Sequence, residues 1–217
     1  MTDISHLKLY YFVFEHKGGL RPTTPYTGRG ENVKLFLEDA GIPHDYIMYD
    51  INEWSKYKDD WIKRGYLAGC LPAVETPDGE LYGCTTALLR FLSKNLNKYY
   101  GANIKEEQLV DAISELANDW YANFDASVWT PDQKDRENHL EKNLPKHLER
   151  LDRFYAARGG PYVLGSEISF ADFQVYQMVA DEKLTPADLP PHLAAFVKAF
   201  EERPNIKKYR HSKRASL

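Results

Sequence analysis

The spacing of apolar residues changes along this chain and divides it into two parts. Leu7 to Phe14 reads Leu-Lys-Leu-Tyr-Tyr-Phe-Val-Phe, an aromatic and branched run that predicts a strand. Glu15 to Thr27 is polar, contains Gly and Pro, and is long for a connection without structure of its own, which points to a functional loop. Gly28 to Ala40 has helical spacing, with Val33, Leu35, Phe36 and Leu37 apolar and Gly41-Ile42-Pro43 as the stop. His44 to Tyr49 predicts a second strand, and Asp50 to Arg64 reads as an irregular, charged stretch containing Trp54 and Trp61. Leu71 to Glu75 predicts a short strand that begins near a proline. Thr76-Pro77-Asp78-Gly79 is a turn between antiparallel strands, Glu80 to Tyr82 the returning strand, and Thr85 to Leu96 a helix.

The resulting order, β-α-β followed by a β-hairpin and a helix, is the thioredoxin-like arrangement. Beyond it the period is helical almost throughout. Glu107 to Asp125 places Leu109, Ile113, Leu116 and Trp120 at spacings of three and four. Arg136 to Ala157 predicts a long helix kinked at Pro145, Ser169 to Val179 a buried helix with few charges, and Pro191 to Glu202 a last one. The expected organisation is an α/β thioredoxin-like domain over residues 1–94, a polar linker over 95–104 and an all-helical domain over 105–217.

Composition narrows the function. Apolar residues make up 43% of the 217, with aromatics frequent, so a packed core is expected rather than disorder. A net charge of −4 gives no general attraction to nucleic acid or to an anionic membrane. The basic segment from Lys207 to Arg214 reads as a solvated C-terminus. Two cysteines, Cys70 and Cys84, offer no disulfide framework, and Met1 to His6 lack a signal peptide's apolar stretch. The cytoplasm is the expected compartment. No pair of histidines has metal-ligand spacing, so no metal is expected.

Two motifs carry a resemblance. Lys63-Arg-Gly-Tyr-Leu-Ala-Gly-Cys-Leu-Pro72, followed by Ala-Val-Glu-Thr-Pro-Asp-Gly, is similar to the glutathione site of the cytosolic glutathione transferases. Gly165-Ser-Glu-Ile-Ser-Phe-Ala-Asp172 resembles the capping box and staple of that family's central helix, with Ser169 as cap, Asp172 reaching back, and Ile168 and Phe173 as the staple. With Glu202-Arg-Pro-Asn-Ile, the resemblance runs from about Leu7 to Tyr209. It implies a glutathione transferase fold, glutathione as co-substrate, and a cis bond before Pro72 that lets the Leu71 backbone pair with the cysteinyl part of glutathione.

Such an enzyme must turn a thiol into a thiolate. In the tyrosine-type (sigma- and pi-like) classes the donor is the Tyr before Phe in the first strand, and Lys8-Leu9-Tyr10-Tyr11-Phe12 places Tyr11 in that role, with Tyr10 on the opposite face. Gly28-Arg29-Gly30-Glu31 matches the family's helix start but comes some thirteen residues late, which leaves Thr24, Tyr26 and Thr27 as rival donors. With no cysteine near the first strand, the thiol-transferring classes are disfavoured.

The resemblance carries further roles. It implies Lys63 for the glycine carboxylate with Trp61 nearby, Arg29 as electrostatic support, and Cys70 beside Leu71 and Pro72. Cys84 and Thr85 stand where the family has Gln-Ser for the γ-glutamyl group; Thr85 keeps a hydroxyl, and Cys84 lacks the amide. Asp119 matches an aspartate supplied across a homodimer axis, and Tyr26, Phe124 and Trp129 fall where the electrophile pocket is lined. The expected activity is conjugation of glutathione to an apolar electrophile. A glutathione-dependent isomerase or peroxidase, or a non-catalytic binding protein of the same fold, stand as alternatives, and neither a nucleic acid nor a membrane is expected as partner.

Overall fold

Strand β1 (Leu7–Val13) pairs in parallel with β2 (His44–Asp50) along its full length, from Leu7 opposite His44 to Val13 opposite Asp50. On its other side β3 (Ala73–Glu75) runs antiparallel, with Leu9 opposite Val74, and β4 (Leu81–Gly83) completes the order β2-β1-β3-β4. The structure is a computed structural model describing residues 2–14, 22–23, 25–130 and 132–216. Strand alternation sends Leu7, Leu9 and Tyr11 to one face and Lys8, Tyr10 and Phe12 to the other. Helix α1 (Arg29–Ala40), stopped by Gly41 in the left-handed conformation, covers the first face together with α3 (Thr85–Leu96), and Leu7, Leu9 and Val74 are fully buried there.

The stretch expected to be irregular contains a helix, α2 (Trp54–Lys63). Trp61 is its one buried residue, and Trp54, Tyr57 and Trp61, three and four residues apart, form an aromatic stripe that docks the otherwise charged helix on Tyr49 of β2. Helix α4 (Ile104–Val128) is capped by Asn103, whose side chain accepts from the N–H groups of Lys105 and Glu106. Its core stripe includes Val110, Ile113, Ala117, Trp120 and Phe124, rotated from the expected one, so Leu109 and Leu116 are only half-buried.

The long helix expected over 136–157 is three segments. Helix α5 (Gln133–Asn138) passes through a wide π turn at His139–Asn143 into α6 (Leu144–Ala156). Pro145 stands in the first turn of α6, where its missing N–H costs nothing, so the break falls ahead of the proline. Helix α7 (Phe170–Asp181) is buried on nearly all sides. The Asp172 carboxylate accepts from the Ser169 N–H at 2.7 Å and hydroxyl at 2.8 Å, as the motif predicts. Phe173 meets Phe36 of α1 with ring centres 5.5 Å apart, joining the helical part to the sheet-bearing part.

The chain continues through α8 (Pro191–Glu201) and α9 (Pro204–Arg210). The basic side chains of the C-terminal segment, Lys207, Lys208, Lys213 and Arg214 among them, are exposed as expected, while Tyr209 is buried and the Arg214 carbonyl accepts from Lys34 Nζ at 2.6 Å, tying the segment to α1. Among the described residues no helix is long and apolar enough to cross a membrane.

Candidate active site

Tyr11 sits near the C-terminal end of β1 with 3% of its surface open, on a seat made by two glycines. A Cβ on Gly30 would lie 2.4 Å from the Tyr11 ring, and one on Gly28 would lie 2.6 Å from its hydroxyl. Gly28 also has φ +71, which favours glycine. This close approach lets the Arg29 N–H, at the start of α1, donate to the Tyr11 oxygen at 2.8 Å. Burial pushes the phenol up to about 12, against the Tyr121 hydroxyl and the Arg29 N–H, which draw it down. Tyr11 therefore keeps its proton at neutral pH, and that proton is available to an acceptor outside the seat.

The rival hydroxyls are engaged elsewhere. Thr27 donates from both N–H and Oγ1 to Asp181 Oδ1, each at 2.8 Å, and the Gly28 N–H reaches Asp181 Oδ2 at 3.0 Å. Tyr26 donates to Asp125 Oδ1 at 2.6 Å and accepts from Trp129 Nε1 at 2.7 Å. Thr24 lies outside the described residues, as do 15–21 of the loop. Thr23 ties the loop's far end to the end of α4, donating from its N–H and its hydroxyl to the Val128 carbonyl.

Next to Tyr11 the structure assembles an aromatic wall. Phe14 lies edge-on to Tyr11 at 5.9 Å and stacks on Tyr26 at 4.9 Å, with Trp129 5.9 Å away. Tyr26 and Trp129 thus lie together and half-buried. Phe124 is corrected: it is fully buried and meets Tyr26 edge-on at 5.2 Å, supporting the wall from behind. Phe14 and Tyr121 belong to this wall without having been singled out by sequence. Both signals were available, Phe14 as the aromatic two residues after Phe12 and Tyr121 one helical turn before Phe124.

The residues expected to hold glutathione fall into two sets. Close to one another are Cys70, Leu71, Pro72, Cys84 and Thr85. The Leu71–Pro72 bond is cis, and among the described residues the Leu71 backbone enters none of the turn, loop or capping hydrogen bonds. Thr85 opens α3, and Cys84, just before it, has φ +63, an uncommon conformation for a residue with a side chain. The two cysteine sulfurs are 3.8 Å apart. Arg29 stacks its guanidinium 4.2 Å over the Tyr121 ring, and among the described residues its buried Nε has no hydrogen-bond partner, an arrangement suited to an anionic ligand.

The second set comes from two helices, and of it Trp61 clusters with Leu71. Lys63, at the end of α2, is exposed, and Asp119 is exposed on α4. Trp61 is 3% exposed, wedged edge-on against Tyr10 at 4.8 Å and against Trp54 and Tyr66, so its part is to pack α2 onto the sheet. Asp181, which fixes the chain leading into the glycine seat, is a site residue that sequence reading missed. Burial raises its carboxyl against the hydrogen bonds from Thr27 and Gly28. Its position at the last residue of a buried helix carries no motif.

With this geometry in place, comparison with known proteins is specific. Residues 30–95 match the sequence model for the glutathione S-transferase N-terminal domain, and residues 118–213 that for the C-terminal domain. A Gallus gallus protein named Glutathione S-transferase is 30% identical over 190 residues, covering 84% of this chain and 83% of its own. Glutathione S-transferase P 10 of Caenorhabditis elegans is 27% identical, covering 96% and 92%. Among solved structures, the Onchocerca volvulus pi-class glutathione S-transferase shares the fold with a TM-score of 0.80 at 24% identity, over 97% of this chain and 94% of that one.

Proposed function

The chain belongs to the glutathione S-transferase family, and from that premise we propose that Tyr11 holds the sulfur of bound glutathione as a thiolate, which attacks an apolar electrophilic small molecule. The observation that carries this reading is the Tyr11 oxygen accepting from the Arg29 N–H. Loaded in that way, the hydroxyl offers its proton to one further acceptor, the sulfur. Lowering a thiol from about 8.5 by two units takes about 2.7 kcal/mol, and hydrogen bonds to a charged group are worth about 1.5–3 kcal/mol each. One or two such bonds suffice.

In this reading glutathione lies along the segment containing Cys70, Leu71 and Pro72 and pairs with the Leu71 backbone as one short strand. Its γ-glutamyl carboxylate meets the free N–H groups at the start of α3, where Thr85 adds a hydroxyl and Cys84 borders the site. Lys63 swings from the end of α2 to the glycine carboxylate, and Arg29 supports the site electrostatically. Asp119 reaches the amino group of glutathione held by a second copy, so the working form is a homodimer. Tyr26, Trp129 and Phe14 line the electrophile pocket, which suits an apolar substrate. Residues 1–94 form the glutathione-binding domain, 95–104 the linker and 105–217 the helical domain, and the enzyme works in the cytoplasm.

The test is retention on immobilised glutathione followed by assay with an activated aryl halide. Retention with glutathione-dependent conjugation is expected. A protein that neither binds glutathione nor conjugates would overturn the reading.

A further inference from the structure

Cys70 and Cys84 are the only cysteines in the chain, and the fold brings them together across the β3–β4 hairpin, with Sγ atoms 3.8 Å apart. A disulfide needs about 2.05 Å, so the two sulfurs stand within about 2 Å of bonding distance. The neighbourhood is built to hold them there. The Tyr66 hydroxyl donates to the Cys70 carbonyl at 3.0 Å and lies 3.7 Å from Cys70 Sγ. That hydroxyl also fills the space against Gly83, where a Cβ would stand 1.7 Å from it, so Gly83 lets Tyr66 sit between the two cysteine segments. Cys84 is exposed and Cys70 partly covered. Both cysteines are free, and burial and the adjacent Cys70 hold the Cys84 thiol above its ordinary range.

We propose that Cys70 and Cys84 are a redox-active pair that exchanges with glutathione disulfide, a reaction additional to conjugation. The proposal rests on the reading of this cleft as the glutathione site, because both cysteines border the segments that would hold the tripeptide. The exposed Cys84, deprotonated, attacks one sulfur of glutathione disulfide. A Cys84–glutathione bond forms, the glutathione disulfide bond breaks, and the departing glutathione thiolate takes up a proton. Cys70, deprotonated in turn, attacks Cys84 Sγ. The Cys70–Cys84 bond forms and the second glutathione leaves as a thiol. The protein dithiol loses two electrons and two protons, and one glutathione disulfide becomes two glutathione molecules. An excess of glutathione runs the same steps backward.

The test uses the full-length reduced protein incubated with glutathione disulfide, quenched with an alkylating reagent and read by intact mass and peptide mapping. Wild type is expected to lose both free thiols together, carry no glutathione, and yield one cross-linked peptide pair containing Cys70 and Cys84. Cys70→Ser is expected to accumulate glutathione on Cys84. Wild type that accumulates a stable mixed disulfide, or keeps both thiols free while folded, would overturn the proposal. A parallel run with hydroxyethyl disulfide, which lacks the γ-glutamyl and glycine groups, separates proposal from premise. A faster reaction with glutathione disulfide, slowed by S-hexylglutathione, supports both. Equal rates with pair closure leave the redox pair standing and overturn the glutathione reading of the cleft.

Discussion

Two neighbouring tyrosines on β1 face opposite sides of the sheet and meet opposite chemistry. Tyr10 donates to Glu75 Oε2 at 3.0 Å, and that carboxylate also pairs with Lys8 at 3.2 Å and Arg64 at 3.0 Å. Tyr11 accepts from the Arg29 N–H. The Tyr10 proton is thus committed to a carboxylate, whereas the Tyr11 oxygen is loaded by a donor and, among the described residues, no carboxylate takes its proton. Residue type is the same and both side chains are buried; what decides the chemistry is whether the oxygen gives or receives. A buried tyrosine becomes a candidate donor to a ligand only in the second case.

The largest expected effect breaks the Tyr11 side at its seat. Gly30→Ala puts a methyl group 2.4 Å from the ring, so the ring must shift. Misplacing a catalytic group by about an ångström costs roughly a hundredfold in rate, and overpacking costs about 1–3 kcal/mol of stability. Both kcat/KM and the urea midpoint are expected to fall, and a fully active variant would show that the seat has slack. Next is Tyr11→Phe, which removes the hydrogen bond to the thiolate. The bound thiol's pKa should rise by about one or two units, with rate falling roughly 10- to 100-fold. Ultraviolet titration of bound glutathione reads this directly, and Tyr10→Phe should leave the same titration where it was.

Sequence made parts of this comparison legible and hid others, for physical reasons. Strand alternation separated Tyr10 from Tyr11, and the capping residues Ser169 and Asp172 were readable because both signals lie three residues apart in one motif. Helix α2 was missed although Trp54, Tyr57 and Trp61 carry helical spacing, because the charged residues between them dilute that stripe. The glycine seat read as a displaced helix start. Its meaning depends on a ring eighteen residues earlier, which no local pattern reports. Asp181 was missed for the same reason, its partners Thr27 and Gly28 being distant in sequence, whereas the signal for Phe14 was local, two residues after Phe12. Phe124 was placed in the right cluster but on the wrong side of it, since spacing gives the face of a helix and not the depth.

A third prediction concerns the carboxylate beneath the Tyr11 side. Glu31, on α1, accepts from the Tyr209 hydroxyl at 2.8 Å, and burial, despite Lys34 and that hydrogen bond, pushes its pKa from 4.5 to about 7. A raised carboxyl favours the folded state fully below the unfolded value. That contribution is lost as pH climbs from 4.5 through about 7, and the curve is level above. Glu31→Gln keeps an acceptor for Tyr209 and removes the charge. It should flatten this decline and gain on the order of 1–3 kcal/mol at pH 8. Urea midpoints at pH 5 and pH 8 measure it. Equal midpoints in wild type would show that Glu31 titrates normally.

The smallest effect belongs to the Tyr10 side and has the opposite slope. Burial pushes Glu75 up, but Arg64, Tyr10 and Lys8 together outweigh it and hold its carboxyl below the usual range. A lowered carboxyl stabilises the fold above the unfolded value and loses that contribution as pH falls through the folded one. Arg64 and Lys8 are 40% and 48% exposed, so solvent screens these pairs, and the whole network is worth about 1 kcal/mol. Tyr10→Phe removes one of three partners, so it should cost less than about 1 kcal/mol at pH 7, and the cost should shrink in acid as Glu75 protonates. Combining Tyr10→Phe with Glu31→Gln sharpens the contrast. The two sit on opposite faces of the sheet and, among the described residues, share no hydrogen-bond partner, so their effects should add. The acid limb should follow the first substitution and the neutral limb the second. A single substitution that moved both limbs would mean the two faces are coupled through β1, and that the Tyr11 hydroxyl is not independent of Glu75.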